Sequence, residues 1–285
     1  MRALAQVVSM LLAAHGGDRA ATSRPPAPRH VEIVGLDYAF QMPAALNAGP
    51  TTFQFVNRGK VRHELNISLL KPGATVEQFM KAVQADQPTA AFRDAPVGVL
   101  FAAPGKRATA RLSTELLPGR TYVVICINRD DPKAKRHLAM GMYSAFTPRE
   151  SREAPTPAGR VDTITATDYA FRYPATVPAG HHAFALVNAG KVRHEFVMLL
   201  LKNGVTLQQA LATEKAGGDV DAQIEDAIGV LHSPAGTTPL GRLELEMLPG
   251  RTYAIICTFS DNDKSPPHLA LGMVGAIDVQ AKGAP

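Results

Sequence analysis

Two histidines, one cysteine and one methionine recur in the two halves of this 285-residue chain. Of its nine histidines, nine methionines and two cysteines, the ones that recur at an offset of 131 residues are His63, Cys126, His137 and Met142, followed by His194, Cys257, His268 and Met273. Imidazole nitrogen, thiolate and thioether sulfur are the ligands that soft transition metals prefer. The recurrence therefore predicts one metal site in each half.

The chemistry of this ligand set points to copper. Two imidazoles and a thiolate define a trigonal site, and a thioether adds a weak axial ligand. Sulfur favours Cu(I), whereas imidazole serves both oxidation states. A site of this kind needs little rearrangement when one electron is gained or lost, so it suits electron transfer better than bond-making catalysis.

The elements that must position these ligands are short strands. The segment from His63 to Leu69 alternates with period two, so that His63 points to the same side as the core residues. A Pro-Gly turn precedes each cysteine, which ends an apolar run at residues 122–126 and again at 253–257. A polar loop then delivers the second histidine, and the methionine follows five residues later.

The repeat extends beyond the ligands and predicts two domains. Asp-Tyr-Ala-Phe stands at residues 37–40 and 168–171, and Gly-Lys-Val-Arg-His-Glu at 59–64 and 190–195. One helix is predicted over residues 75–85, where Thr75 and Gln78 form a capping box, and its copy begins at Thr206. Short strands separated by turns predict an all-β protein of two tandem antiparallel β-sandwiches, each with one short helical insertion.

The predicted domain bounds follow from this pattern. We expect a leader and linker at residues 1–30, a first domain at 31–147, a linker at 148–160 rich in Pro, Arg and Glu, and a second domain at 161–280.

These residues resemble the cupredoxins, the blue (type 1) copper proteins, in a tandem two-domain form. The resemblance rests on His63, the Tyr122–Cys126 segment and the run from His137 to Met142, together with their copies in the second half. It implies copper bound by the cysteine and both histidines, with the methionine of the Gly-Met pair as axial ligand. Met142 is preferred to Met140, which is matched by Leu271. Ten residues separate cysteine and second histidine in each half, more than in most small members of the family.

Two-domain relatives of this kind include nitrite reductases and small laccases, but the sequence does not predict an enzyme. Those enzymes place a histidine beside the copper-binding cysteine and use His-X-His motifs for further coppers. Here Cys126 lies between two isoleucines, Cys257 between Ile256 and Thr258, and no His-X-His motif occurs.

Composition and charge limit the partners and the location. A net charge of +5 without a basic run does not predict nucleic-acid binding. Lys60 and Arg62, and their copies Lys191 and Arg193, form either a solvated strand edge or a basic rim that steers an acidic redox partner protein. An apolar run at residues 3–14 resembles a secretory signal and is too short to span a membrane. It predicts a periplasmic or secreted protein without a membrane span after processing, with an ordinary leader as the alternative.

The sequence thus predicts an exported carrier of single electrons with one or two type 1 copper sites. A copper-free module for binding or assembly and a copper storage or delivery protein remain as alternatives.

Overall fold

The structure is a computed structural model, and it describes residues 28–85, 87, 89–151 and 160–281. The predicted secretory signal and most of the predicted linker at 148–160 lie outside these residues. The strands of the first half are β1 (Arg29–Leu36), β2 (Ala39–Gln41), β3 (Gly49–Asn57), β4 (His63–Leu70), β5 (Arg93–Ala102), β6 (Arg111–Leu116), β7 (Tyr122–Ile125) and β8 (Tyr143–Phe146). Those of the second half are β9 (Asp162–Thr167), β10 (Ala170–Arg172), β11 (Thr176–Val177), β12 (Gly180–Asn188), β13 (His194–Leu201), β14 (Ile224–Ser233), β15 (Arg242–Met247), β16 (Thr252–Ile256) and β17 (Val274–Val279).

One α-helix interrupts each half where the sequence predicts it, namely α1 (Val76–Gln84) and α2 (Leu207–Lys215). Both begin with the expected capping box, in which the threonine hydroxyl accepts from the backbone N–H of the glutamine while the glutamine side chain accepts in return. Short 3-10 helices cover Thr89–Ala91, His137–Met140, Asp221–Gln223 and His268–Leu271. Among the described residues, no helix is both long enough and apolar enough to cross a bilayer.

The strands form two packed sheets, which confirms the predicted all-β fold of two tandem β-sandwiches, each with one short helical insertion. One sheet has the order β10-β9-β12-β15-β6-β3-β1-β2 and the other β11-β17-β16-β13-β14-β5-β4-β7-β8. The predicted antiparallel pairing is wrong at three places, because β1 runs parallel to β3, β9 to β12 and β11 to β17. In the first of these, β2 folds back on the outer side of β1, so the chain must return along residues 42–48 before it enters β3.

Both sheets continue from one half of the chain into the other. Strand β5 pairs with β14, and β6 pairs with β15, each antiparallel. At both junctions a residue pairs with its own copy in the repeat: Val99 with Val230, and Leu112 with Leu243. A self-complementary contact of this kind is the signature of twofold symmetry. The repeat halves are therefore joined like the subunits of a symmetric dimer, by backbone hydrogen bonds and a shared apolar core.

Candidate metal centre

Each predicted ligand set lies at one end of a sandwich, and the strands explain why. His63 is the first residue of β4, and Cys126 directly follows β7, the antiparallel neighbour of β4. His137 begins a 3-10 turn that ends at Gly141, whose φ of 108° suits glycine. Backbone hydrogen bonds then fasten the loop, because Leu138 N–H donates to the Cys126 carbonyl at 2.8 Å and Cys126 N–H to the Met142 carbonyl at 3.2 Å.

The donor atoms of the first half converge on a common point. His63 Nδ1 and His137 Nδ1 are 3.1 Å apart, and Cys126 Sγ lies 3.9 Å and 3.4 Å from them. Both imidazoles and the thiol are fully buried. These three atoms therefore form a small triangle that is shielded from water.

The second half repeats this geometry. His194 Nδ1 and His268 Nδ1 are 3.2 Å apart, and Cys257 Sγ lies 4.0 Å and 3.3 Å from them. In each cluster all three ligand atoms lie within 4.8 Å of one another. Both cysteines are free thiols, which excludes a disulfide between the two halves.

The triangle fits a transition metal. Metal–nitrogen bonds of about 2.0 Å and metal–sulfur bonds of about 2.3 Å in a trigonal plane place the nitrogens about 3.5 Å apart and the sulfur about 3.7 Å from each. The observed separations lie within a few tenths of an ångström of these values. The set of soft sulfur and imidazole donors suits copper. Together the clusters and the sandwiches fit the tandem cupredoxin-like organisation.

Hydrogen bonding fixes His137 in the form that a metal needs. Its Nε2 lies 2.9 Å from Asp130 Oδ1, and the other carboxylate oxygen of Asp130 accepts from the Tyr38 hydroxyl at 2.6 Å. The Tyr38 hydrogen bond and His137 lower the pKa of Asp130, which keeps it an anionic acceptor. His137 therefore carries its proton on Nε2, which donates a hydrogen bond to Asp130. Its Nδ1 then presents a lone pair to the cluster.

The hydrogen bonding of His63 also fits a bound cation. His63 Nε2 is buried without a hydrogen-bond partner, and the nearest acid, Asp37 Oδ1, is 3.7 Å away. A proton on His63 Nδ1 could be shared with His137 Nδ1, but the bare Nε2 lone pair would then face the carboxylate. A cation held by the Nδ1 atoms of both histidines would remove this conflict, because His63 would then carry its proton on Nε2, facing Asp37. His194 and Asp168 repeat the arrangement at 3.5 Å.

The turn before His63 leaves no room for other side chains. Asn57 donates its side-chain amide to the carbonyls of Val61 and Ala102 and accepts from Gly59 N–H, so the turn closes on itself. A Cβ on Gly59 would lie 2.4 Å from Asp37 Oδ1 and 2.8 Å from His63 Nε2. Gly190 has the same surroundings in the second half. Glycine is thus needed here for close approach, and the turn fixes the imidazole in place.

The predicted axial ligands lie in the same region. Met142 and Met273 are fully buried, directly after the 3-10 turns that carry His137 and His268. Met142 N–H donates to the His137 carbonyl at 2.9 Å, which links the methionine to the ligand loop. Met140, by contrast, is exposed over 38% of its surface. The axial role of Met142 and Met273 stays a prediction.

Sequence reasoning missed the residues that support the ligands. Asp37, Tyr38 and Asp130 contact or orient the histidines, and the second half uses Asp168, Tyr169 and Asp261 in the same way. All of them recur at the offset of 131 residues, so the repeat held the signal. Among the described residues other than glycine, only Tyr38 and Tyr169 have positive φ, 63° each. This strained backbone brings each tyrosine ring edge-on to its histidine, at 5.1 Å and 5.0 Å between centroids.

We expect Asp130→Asn to weaken copper binding in the first half by about 10- to 100-fold, the usual effect of losing a carboxylate that orients a histidine ligand. The amide cannot hold His137 in its required form while it also accepts from Tyr38. Competition with a chelator measures the affinity of each site. Asp131→Asn, one residue along the same loop, is the matched control, because Asp131 accepts from backbone amides of its own loop. Equal affinities in both variants would contradict the proposed orientation.

The cysteines give copper binding a definite pH dependence. Burial raises the pKa of Cys126 to about 12 and that of Cys257 to about 11, so both thiols are protonated near neutral pH. A metal must displace this proton to bind the thiolate. The sulfur accepts a hydrogen bond at 3.4 Å from a backbone N–H, that of Glu64 for Cys126 and that of Glu195 for Cys257. Since one proton leaves per site, affinity should fall about tenfold per unit of decreasing pH, or about 100-fold from pH 8 to pH 6. Chelator competition across this range tests it, and a constant affinity would exclude the thiol as a ligand.

Similar solved structures are copper proteins. The chain aligns with auracyanin B at 25% identity over 42% of this chain and 88% of the other, with a TM-score of 0.30. It aligns with auracyanin A, a "blue" copper protein from Chloroflexus aurantiacus, at 21% identity over 42% and 100%, with a TM-score of 0.27. A blue copper oxidase from Nitrosomonas europaea aligns at 15% identity over 89% and 86%, with a TM-score of 0.25. No protein-family model and no curated protein matches the chain. The strands and the ligand clusters define the fold of this chain.

Proposed function

We propose that this protein is an electron carrier with one type 1 copper site in each half. The observation that supports it is the pair of buried His-Cys-His triangles, with His137 and His268 each held by a carboxylate and a tyrosine. Copper bound there would supply a one-electron couple. The protein itself fixes the donor atoms, excludes water and directs the backbone N–H of Glu64 or Glu195 at each sulfur, so that the same geometry serves both oxidation states.

An electron carrier is favoured over an oxidase or reductase by the residues next to the cysteines. Ile125 and Ile127 flank Cys126, so this position offers no histidine through which the site could be linked to a second copper. The His-X-His motif that would hold further coppers does not occur in the sequence. The proposed activity is therefore transfer of single electrons without bond chemistry.

The partner in this proposal is a redox protein with an acidic surface. A groove of about 670 Å³ beside the first cluster is lined by Ile127 and Leu138, and by the basic residues Arg93, Arg129, Lys135 and Arg136. Positive charge around a redox site steers an acidic protein to it and raises the association rate. The second half has Ser260, Pro266 and Pro267 in place of three of these basic residues, so docking is proposed at the first site. Export of the protein is also part of the proposal and rests on the apolar run at residues 3–14.

The experiment is copper loading followed by elemental analysis, visible spectroscopy and redox titration of the purified full chain. Two coppers per chain, intense visible absorption and reversible reduction are the expected results. A copper-free binding module would give no copper and no copper-dependent stabilisation. A storage or delivery protein would bind copper without reversible cycling. Either result would contradict the proposal.

A further inference from the structure

A basic cavity of about 250 Å³ lies where the two halves meet, apart from the two metal-binding clusters. Its lining includes Arg93 from β5 of the first half, together with Arg193 and His232 from the second. The cavity is open to solvent and has the volume of several water molecules. Three nitrogen-rich side chains from two halves thus meet in a space that a small ligand can enter.

The positive charges in this cavity are not neutralised by a direct ion pair. Within the part of the chain that the structure describes, neither Arg93 nor Arg193 has a carboxylate within ion-pair distance, and Arg93 Nε is buried without a hydrogen-bond partner. Asp94 also lines the cavity, but it is paired with Arg120 at 2.7 Å. Burial, with the nearby Arg193 charge, lowers the pKa of Arg93 to about 10. Two positive charges held close together without a direct ion pair attract an anion.

Neighbouring carboxylates do not fill this role. Glu64 and Glu195 are buried and contribute to the field at the two arginines. Their oxygens, however, accept from the backbone N–H of Ile127 and Thr258. Neither carboxylate is within ion-pair distance of Arg93 or Arg193, and neither lines the cavity.

The side chains are held so that their donors stay available. Arg193 stacks on Phe259, with 4.0 Å from its guanidinium carbon to the ring centre, and one of its nitrogens lies 3.5 Å from His232 Nδ1. Burial lowers the pKa of His232 to about 3, so its ring is neutral and Nδ1 accepts from Arg193. The ring proton therefore sits on Nε2, as a further donor.

The repeat provides an internal comparison, because the symmetry-related position has a different composition. The copy of Arg93 is Ile224, and His232 is the copy of Phe101, while Arg193 is matched by Arg62. Arg62 instead stacks on Phe101, with 5.4 Å from its guanidinium carbon to the ring centre. The basic cavity thus arises from substitutions on one side of the twofold axis and is not a by-product of the junction.

We propose that this cavity, between Arg93 of the first half and Arg193 and His232 of the second, binds one small oxyanion such as phosphate or sulfate. Guanidinium groups bind such anions through charge-assisted hydrogen bonds, often two from one group. Because the ligand contacts both halves, it stabilises their junction by mass action.

Calorimetric titration of the full chain with sulfate and with phosphate, at an ionic strength held constant with chloride, tests this site. One anion per chain is expected. Arg93→Ile and His232→Phe replace each residue by its repeat copy, and each should weaken binding at least about tenfold, the effect of losing one hydrogen bond to a charged group. Copper content and visible absorption should not change. Arg172→Ile, on the outer strand β10, removes the same charge and should bind as the parent does.

Two results would overturn the proposal. Either the parent protein binds neither anion above the chloride background, or Arg93→Ile and His232→Phe both bind as tightly as Arg172→Ile. The second result would mean that the anions bind to the general positive charge of the surface. The copper sites do not depend on either outcome, because no copper ligand is changed. Arg93 also lines the groove proposed for the redox partner, so the controls are copper content and visible absorption, not electron transfer.

Discussion

Replacing Cys126 and Cys257 together by serine should abolish specific copper binding and remove the intense visible absorption that resemblance to the cupredoxins predicts. Serine keeps the size of the side chain, but a hydroxyl does not supply the soft, anionic sulfur that holds the metal in the trigonal plane. The two histidines of each half remain, so any copper they retain should be weakly held and nearly colourless. Elemental analysis and a visible spectrum of the copper-loaded variant measure the loss.

The single variants and one methionine serve as controls for this result. Cys126→Ser and Cys257→Ser should each leave one copper and about half of the absorption, because the clusters lie in separate halves. Met140→Leu introduces the residue that stands at this place in the second half, and it should leave both coppers unchanged. If the double variant kept two coppers and the colour of the parent, thiolate ligation would be wrong in both halves.

The second large effect is expected at the junction, where Gly241→Ala should destabilise the protein by about 3 kcal/mol, at the upper end of the usual cost of overpacking. A Cβ at Gly241 would lie 2.1 Å from the Val97 carbonyl oxygen of β5 in the other half. The neighbouring Leu240 N–H donates to the Pro96 carbonyl at 2.8 Å, so the two segments cannot separate without breaking this bond. Thermal unfolding should show a midpoint lower by roughly 6 °C or more.

Gly236→Ala is the matched control for this variant. A Cβ there has open space around it, and the only expected cost is the left-handed φ of 67°, about 1 to 2 kcal/mol. Equal midpoints for the two variants would show that contact between the halves at Gly241 contributes nothing to stability.

The sequence predicted the parts of the fold that depend on local patterns. The alternation from His63 to Leu69 predicted β4, and the capping box at Thr75 predicted α1. Each of these signals is contained in a few consecutive residues. The ligand clusters were also predictable, since the duplication showed which side chains recur. Three of the four predicted ligands in each half lie together.

The strand that joins the halves was not predicted. β5 contains Pro96 and Gly98, residues that weaken a strand pattern, and its register with β4 shifts between them. Its copy β14 contains Gly229 in the same role. These residues are tolerated because the other half packs closely there: a Cβ on Gly229 would lie 2.8 Å from the Val99 carbonyl oxygen. A pattern within one half cannot reveal a partner strand that belongs to the other.

The carboxylates that orient the histidines were not predicted, for a similar reason. Asp37 and Asp130 lie 93 residues apart in sequence and face different histidines of one cluster, and Tyr38, with positive φ, hydrogen-bonds to Asp130. Nothing in the alternation of apolar residues reports this contact. The recurrence of Asp37, Tyr38 and Asp130 was visible, but recurrence alone does not distinguish a turn residue from a group that sets the tautomer of a ligand.

The twofold junction places the two metal-binding clusters at opposite ends of the joined sheet. His63 pairs with Ala102 and His194 with Ser233, on opposite sides of the central Val99–Val230 pair. With a strand spacing of about 4.8 Å and a rise of about 3.4 Å per residue, the two histidines are roughly 25 Å apart. A protein seated over one cluster therefore leaves the other accessible. If the proposed redox partner docks over the first cluster, the second cluster lies outside that contact, so one chain would leave its second site free for another molecule.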